Sequence, residues 1–231
     1  MRTLALIGLG VTCLLAGNEP AQRSQVSNTQ RADLMPGGAL RIENSTGELM
    51  VLGWDRPDVE ITTVKFSKEY DPKEREKATK ELDEVRISVE PRDRDLVIKT
   101  DFPRHSVLSP HGRTRFDLEY YIKAPRDARL TVAHDVGGVH VEDMTGDISA
   151  TARQGEITLR VPGEGQYAID ARSKLGDVIS DFPGRGKMKP WLLGHQFASD
   201  TAQGAHKLYL RIGYGDIIIW KTLRLPAPAP Y

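Results

Sequence analysis

A short motif recurs along the chain: a glycine, then an acidic or small residue, then a branched aliphatic one. It stands at Gly47-Glu48-Leu49, Gly146-Asp147-Ile148, Gly155-Glu156-Ile157, Gly176-Asp177-Val178 and Gly215-Asp216-Ile217, with Gly137-Gly138-Val139 as a variant. Glycine supplies the positive φ of a tight turn, and the alternation after it (Ile148, Ala150, Ala152; Ile157, Leu159, Val161) restarts a strand. One such unit cannot bury its own apolar face, so a repeat at fixed offset implies stacking. Steps of nine residues from Gly137 to Gly146 to Gly155, then of 21 to Gly176 and 39 to Gly215, read as rungs with growing insertions.

Period-two alternation fills the rest of the body: Leu40/Ile42, Leu49/Val51, Val59/Ile61, Val85/Ile87/Val89, Leu96/Ile98, Leu118/Tyr120/Ile122 and Leu130/Val132. Each run has one apolar face, as half-buried strands require. The expected fold is mainly β, a β-helix or β-solenoid-like stack of strands with one short covering α-helix; an antiparallel β-sandwich with ordinary hairpins is the alternative. The helix is signalled at residues 71–85. Asp71 can cap it, Pro72 suits its first position and Glu74 completes a capping box. Ala78, Leu82 and Val85 mark one face, while Glu76/Lys80 and Lys77/Glu81 pair along the other. Its expected task is to cover an end or edge of the sheet, since open edges must be blocked.

The ends of the chain differ from its body. Leu4 to Gly17 is an uncharged apolar run behind Met1-Arg2-Thr3, followed by polar residues from Asn18. That is the layout of a secretory signal, with cleavage expected near Gly17, and the run is shorter than the ~20 residues a membrane span needs. Cys13, the only cysteine, is poorly placed for lipidation, and its loss with the signal would leave a chain without thiol chemistry or disulfides. Residues 18–36 read as a flexible linker, 37–222 as the folded domain and 223–231, which alternate proline, as a tail.

These residues resemble a known group. Gly38-Ala39-Leu40-Arg41-Ile42-Glu43-Asn44 through Gly47-Glu48-Leu49, Gly53-Trp54-Asp55 and Val59-Glu60-Ile61 is similar to the opening of the bacterial putative-adhesin family with β-strand repeats, related to head-GIN-type adhesin domains. The helix, the Tyr121-Ile122-Lys123-Ala124-Pro125 strand end and the later Gly-Asp-Ile and Gly-Glu-Ile turns extend the likeness over about residues 37–221. The resemblance implies a secreted or envelope-attached β-helical domain, adhesin-like by fold analogy, of unknown function. The chain departs from the compact pattern in two insertions, Arg104–Arg115 and Gly184–His206, and in lacking a membrane helix after the signal.

Catalytic signatures are not evident. The sequence carries no nucleophile elbow, His-Glu-x-x-His, phosphate loop or dinucleotide fingerprint. His134 and His140 straddle a glycine turn and, with Asp135 or Asp143, suggest a metal pair; without a third ligand at the required spacing they read as solvated turn residues. Asp147, Glu156, Asp177 and Asp216 would form a cation ladder only if stacked on one edge, and are otherwise turn residues. Gly137-Gly138-Val139-His140 puts a histidine where a calcium β-roll needs its third glycine. No metal or cofactor is therefore expected. The 32 basic and 32 acidic residues balance, which disfavours a nucleic-acid partner, and the membrane is reached only through the signal or a lipidated Cys13.

Binding function is expected in the two insertions, because loops carry function more often than strands. Arg104, His105, Arg113 and Arg115 make one basic. Trp191, Leu192, Leu193 and Phe197 make the other apolar, suited either to a protein or glycan contact or to plugging an open end of the stack. Trp54 and Trp220 lie in strand-turn patterns and are expected to pack. The leading expectation is an exported, non-enzymatic, adhesin-like binding or structural protein whose partner is a protein or glycan of the cell envelope. A periplasmic scaffold or sensor docking through a sheet edge is the second reading, and a carbohydrate-active enzyme with a strand-borne carboxylate pair the third.

Overall fold

The computed structural model describes residues 25–67, 71–102, 116–189, 194–201 and 206–222. The expected signal (1–17), the tail (223–231), the Arg104–Arg115 insertion and Trp191, Leu192 and Leu193 lie outside the described residues. Four long strands carry the architecture: β2 (Ala39–Trp54), β7 (Arg129–Glu142), β8 (Ile148–Pro162) and β13 (His206–Thr222). They run parallel in the order β2-β7-β8-β13.

Their register explains the repeat. From β7 to β8 each residue pairs with the one eighteen further on, Leu130 with Ile148 through Glu142 with Arg160. Five residues, 143–147, connect these parallel neighbours, whereas a flat parallel pair needs a crossover of roughly 10–12 or more. The connection closes because each strand bends back on itself near its glycine. One strand is thus one coil of a flattened solenoid, with two arms and two corners. Gly47 pairs with Gly137, Gly137 with Gly155 and Gly155 with Gly215, all with positive φ, so the first corner is a ladder of glycines. Gly176, between β9 (Tyr167–Leu175) and β10 (Val178–Ser180), extends it against Gly215.

Two expectations are corrected here. Gly146 is not a ladder glycine. It lies at the opposite corner, against the carbonyls of Asp127 and Ala128, and its φ is not among the positive values. The nine-residue step is half a coil, one arm per glycine. Nor do the rungs follow chain order: β13 stands between β8 and β9. Over its length β13 pairs with β8 from Leu208 to Thr222, a ladder that the interrupted β9 and β10 could not match, since β10 has only three residues.

The core lies between the arms as aliphatic columns. On one arm Leu96, Leu40, Leu130, Ile148, Leu208 and Ile169 follow one another across the strands. On the other Tyr120, Leu49, Val139, Ile157 and Ile217 do the same, and all these residues are buried. At the first end β5 (Asp95–Asp101) and β6 (Phe116–Pro125) close the arms, joined by a 2.9 Å hydrogen bond between the Thr100 and Tyr120 hydroxyls. Each arm is then extended by antiparallel strands: β4 (Arg86–Arg92) beside β5, and β3 (Asp58–Ser67) beside β6. At the other end β12 (Gly194–Ser199) and β11 (Gly184–Lys189) continue from β9.

Part of the expected linker is a strand. β1 (Gln25–Asp33) pairs with β3 over nine residues, from Gln25↔Phe66 to Asp33↔Asp58. Its polar sequence carries no alternation because it is an edge strand with little core to face; the ladder and cross-strand side chains hold it instead. Arg31 donates to Glu60 at 2.6 Å and Thr29 meets Thr62 at 2.9 Å. Donation from Lys123 and Arg31 keeps the Glu60 carboxyl below its usual range.

Helix α1 (Pro72–Glu84) forms as the sequence reads. Asp71 accepts a hydrogen bond from the Lys73 amide at 2.9 Å, Ala78 and Leu82 with the following Val85 are buried, and Glu76 and Lys80 pair at 2.9 Å. It covers β3, whose Lys65 ammonium donates to the Val85 and Leu82 carbonyls at the helix end, where the dipole favours a cation. Asp71→Ala should cost about 1 kcal/mol, the usual worth of an N-cap, read as a lower urea midpoint with unchanged m-value. An unchanged midpoint would show the cap to be idle.

Candidate functional site

A cleft of about 850 Å3 opens beside the glycine corner where β8, β13, β9 and β12 lie side by side. Alternation along these strands puts two rows of side chains on one face. Thr151, Arg211, Arg172 and Gln196 form the first, paired rung to rung. Arg153, Gly213 and Lys174 form the second, since Gly213 falls between residue pairs that place it opposite both neighbours. Gly213 leaves a notch between two cations, and a Cβ there would press on the Arg153 carbonyl.

The electrostatics of this lining contrast with the neutral chain. Among the described residues it carries Arg153, Arg172, Lys174 and Arg211 and no carboxylate. The carboxylates flank it on the same sheet face. Asp135 accepts two hydrogen bonds from Arg153, which hold its carboxyl below the usual range. Asp170 accepts from both Arg172 and Arg211. Arg211 is further fixed by donating to the Asp170 carbonyl at 2.7 Å and by stacking 3.8 Å over the Tyr209 ring. Lys174 has no ion pair among the described residues. His195 reaches the Gly176 carbonyl and Asp177, and Tyr214 stands 58% exposed at the rim.

The positions expected from sequence are distributed differently. Arg104, His105, Arg113, Arg115, Trp191, Leu192 and Leu193 lie outside the described residues. Phe197 is not a contact residue: it is buried, paired with Ala171, and closes the inner column at this end. Trp220 is 41% exposed on the outer face rather than packed, whereas Trp54 donates its indole N–H to the Asp58 carbonyl and lies under Arg56. His134 is not a solvated turn residue. It is 6% exposed, with Nδ1 2.9 Å from the Ser45 hydroxyl and no partner for Nε2, and burial pushes its pKa down to about 4. His140 sits on the other arm beside Glu48.

Among the described residues no cluster of three His, Cys, Asp or Glu side chains could hold a metal. Glu156, Asp216 and Asp177 do stack beside the glycine ladder, but each is engaged locally: Glu156 by Thr158, Asp216 by the Asp177 amide, Asp177 by His195. Asp147 lies at the opposite corner, where it accepts from the Lys207 amide.

The cleft residues were missed because each is a lone charge in a strand. Alignment on the ladder glycines reveals them. Four residues before Gly155, Gly176 and Gly215 stand Thr151, Arg172 and Arg211, and two before stand Arg153, Lys174 and Gly213.

A family model described as Toastrack DUF4097, a domain of unknown function, matches residues 26–218, from β1 into β13. The chain belongs to the Toastrack DUF4097 family. The matched span takes in nearly all of β1, the helix and most of β13. Two crystal structures are similar to it in part. A putative cell adhesion protein from Clostridium sporogenes ATCC 15579 shares 15% identity at a TM-score of 0.47, covering 85% of this chain and 100% of that one. A putative adhesin from Bacteroides fragilis NCTC 9343 shares 10% identity at a TM-score of 0.31, covering 85% and 98%. No curated protein matches the chain. Among the described residues of this Toastrack domain no helix is long and apolar enough to cross a membrane.

Proposed function

We propose that this Toastrack protein is an exported, non-enzymatic, adhesin-like binding module of the bacterial cell envelope, and that it holds its ligand in the basic cleft. The observation that carries this reading is the division of charge there: cations line the cleft, and the carboxylates that orient them flank it on the same sheet face. Side chains fixed before a ligand arrives lose less freedom on binding. Continuous ladders on both sides of β8, β13 and β9 give the cleft a rigid floor.

Two readouts test the proposal. Met188, 68% exposed on β11, is replaced by cysteine and cells are treated with a membrane-impermeant thiol reagent, the unaltered chain with Cys13 alone serving as control. Labelling of intact cells, or only after outer-membrane permeabilisation, supports export; labelling only after full lysis overturns it. Purified residues 18–231 should also sediment with isolated envelopes, and Arg153→Glu with Lys174→Glu should reduce the bound fraction at least fivefold. Equal sedimentation by the double variant would remove the cleft from the binding surface. A scaffold or sensor role is favoured by one feature, the exposed edge strand β11, paired on one side only by β12. Loss of sedimentation in Gly186→Pro but not in the cleft variants would select it.

A further inference from the structure

We infer that the cleft receives a carboxylate-bearing oligosaccharide, an inference that rests on the binding role proposed above and names its ligand class. The first support is stoichiometry of charge. Asp170 serves two guanidiniums, Arg172 and Arg211, and Lys174 has no counter-ion among the described residues. Positive charge is therefore left over on the face that the cleft presents. Planar guanidinium groups match a planar carboxylate in geometry as well as charge, and are held in place here by Asp135 and Asp170 beside them.

The second support concerns what the cleft withholds. An acidic peptide would ordinarily add to a sheet through its main chain, or leave its own amides unpaired. Here β8 and β13 have a ladder on both sides, and β9 is paired with β13 through Leu175 and with β12 at Asp170–Arg172. Over the β8 and β13 floor recognition falls to side chains, which suits a ligand that carries its anionic groups and flat apolar faces on rings. The exposed Tyr214 and the Tyr209 ring beneath Arg211 supply aromatic surfaces beside the cations. A volume of about 850 Å3 accommodates a few sugar units.

Isothermal titration of the purified chain with hexagalacturonate tests this, with maltohexaose and hexaglutamate as comparators. Hexagalacturonate alone should saturate, with affinity falling as salt is raised. Lys174→Glu, at an exposed position, should weaken it at least tenfold and Tyr214→Ala severalfold, both with unchanged melting temperature. Equal binding of maltohexaose would overturn the role of the carboxylate. Binding of hexaglutamate as tight as that of hexagalacturonate would overturn the saccharide assignment, and indifference to Lys174→Glu would overturn the location. If none of the three ligands binds, the ligand class falls, while the envelope sedimentation of the cleft variants still decides whether the cleft binds at all.

Discussion

Gly155→Ala should lower the melting temperature by about 6–12 °C, a large effect for a single added methyl group. Gly155 has φ +131, a backbone conformation closed to residues with a Cβ. The added methyl would also be driven into the carbonyl of Gly137 on the rung below, while Gly215 stacks in register above. Backbone strain of this kind costs about 1–3 kcal/mol, and the clash adds to it because ladder carbonyls on both sides resist movement. A total of ~3 kcal/mol or more at roughly 2–4 °C per kcal/mol for a domain of this size gives the expected shift. Gly186→Ala is the control, since nothing lies within 4 Å of its added Cβ and its φ is ordinary. A variant at Gly155 that melts with the parent would show that the stacked corner tolerates a side chain, and the account of the repeat would fail.

The second large effect is on acid stability. His134 is neutral in the fold because burial holds its pKa at about 4, below the ordinary 6.5. Below pH ~6.5 the unfolded chain takes up a proton that the folded chain refuses, so stability falls as the pH drops towards 4 and then levels for this group. At 1.36 kcal/mol per pKa unit the full loss is about 3 kcal/mol, with most of it present by pH 5. Carboxylates such as Glu60 and Asp95, whose pKa values are lowered, lose their contribution in a more acidic window. Urea unfolding between pH 7.5 and 4.5 should therefore show a steep decline in the parent and a shallow one in His134→Leu. Parallel slopes would assign the acid sensitivity elsewhere. The variant also leaves the Ser45 hydroxyl without its 2.9 Å partner, so its stability at pH 7.5 is expected to be lower from the start.

Strand identity was legible wherever one face meets the core, because an arm of a coil alternates as any half-buried strand does. The helix was legible for the same reason, its cap and apolar face being local. β1 was not, since an edge strand draws its order from a neighbour distant in sequence, Arg31 from Glu60 and Thr29 from Thr62. The ladder glycines at 47, 137, 155, 176 and 215 declared themselves, yet Gly146 shared their motif while turning the opposite corner. Spacing alone cannot separate a half coil from a whole one. Rung order was hidden too, because a long insertion records only that a strand comes later, not where it docks. The cleft follows from that order: Arg211 reaches Asp170 only because β13 lies beside β9.

The place of β13 bears on when this protein can exist as a folded object. The strand follows β8 and β9 in the chain and holds β8 on one side and β9 on the other. A chain emerging from the ribosome N-terminus first has made both of those neighbours before it has made the piece that joins them. Until then the two halves share no ladder through this seam, and the glycine corner is interrupted between positions 155 and 176. The joining of these two halves thus waits for β13, although every strand it unites has been made before it.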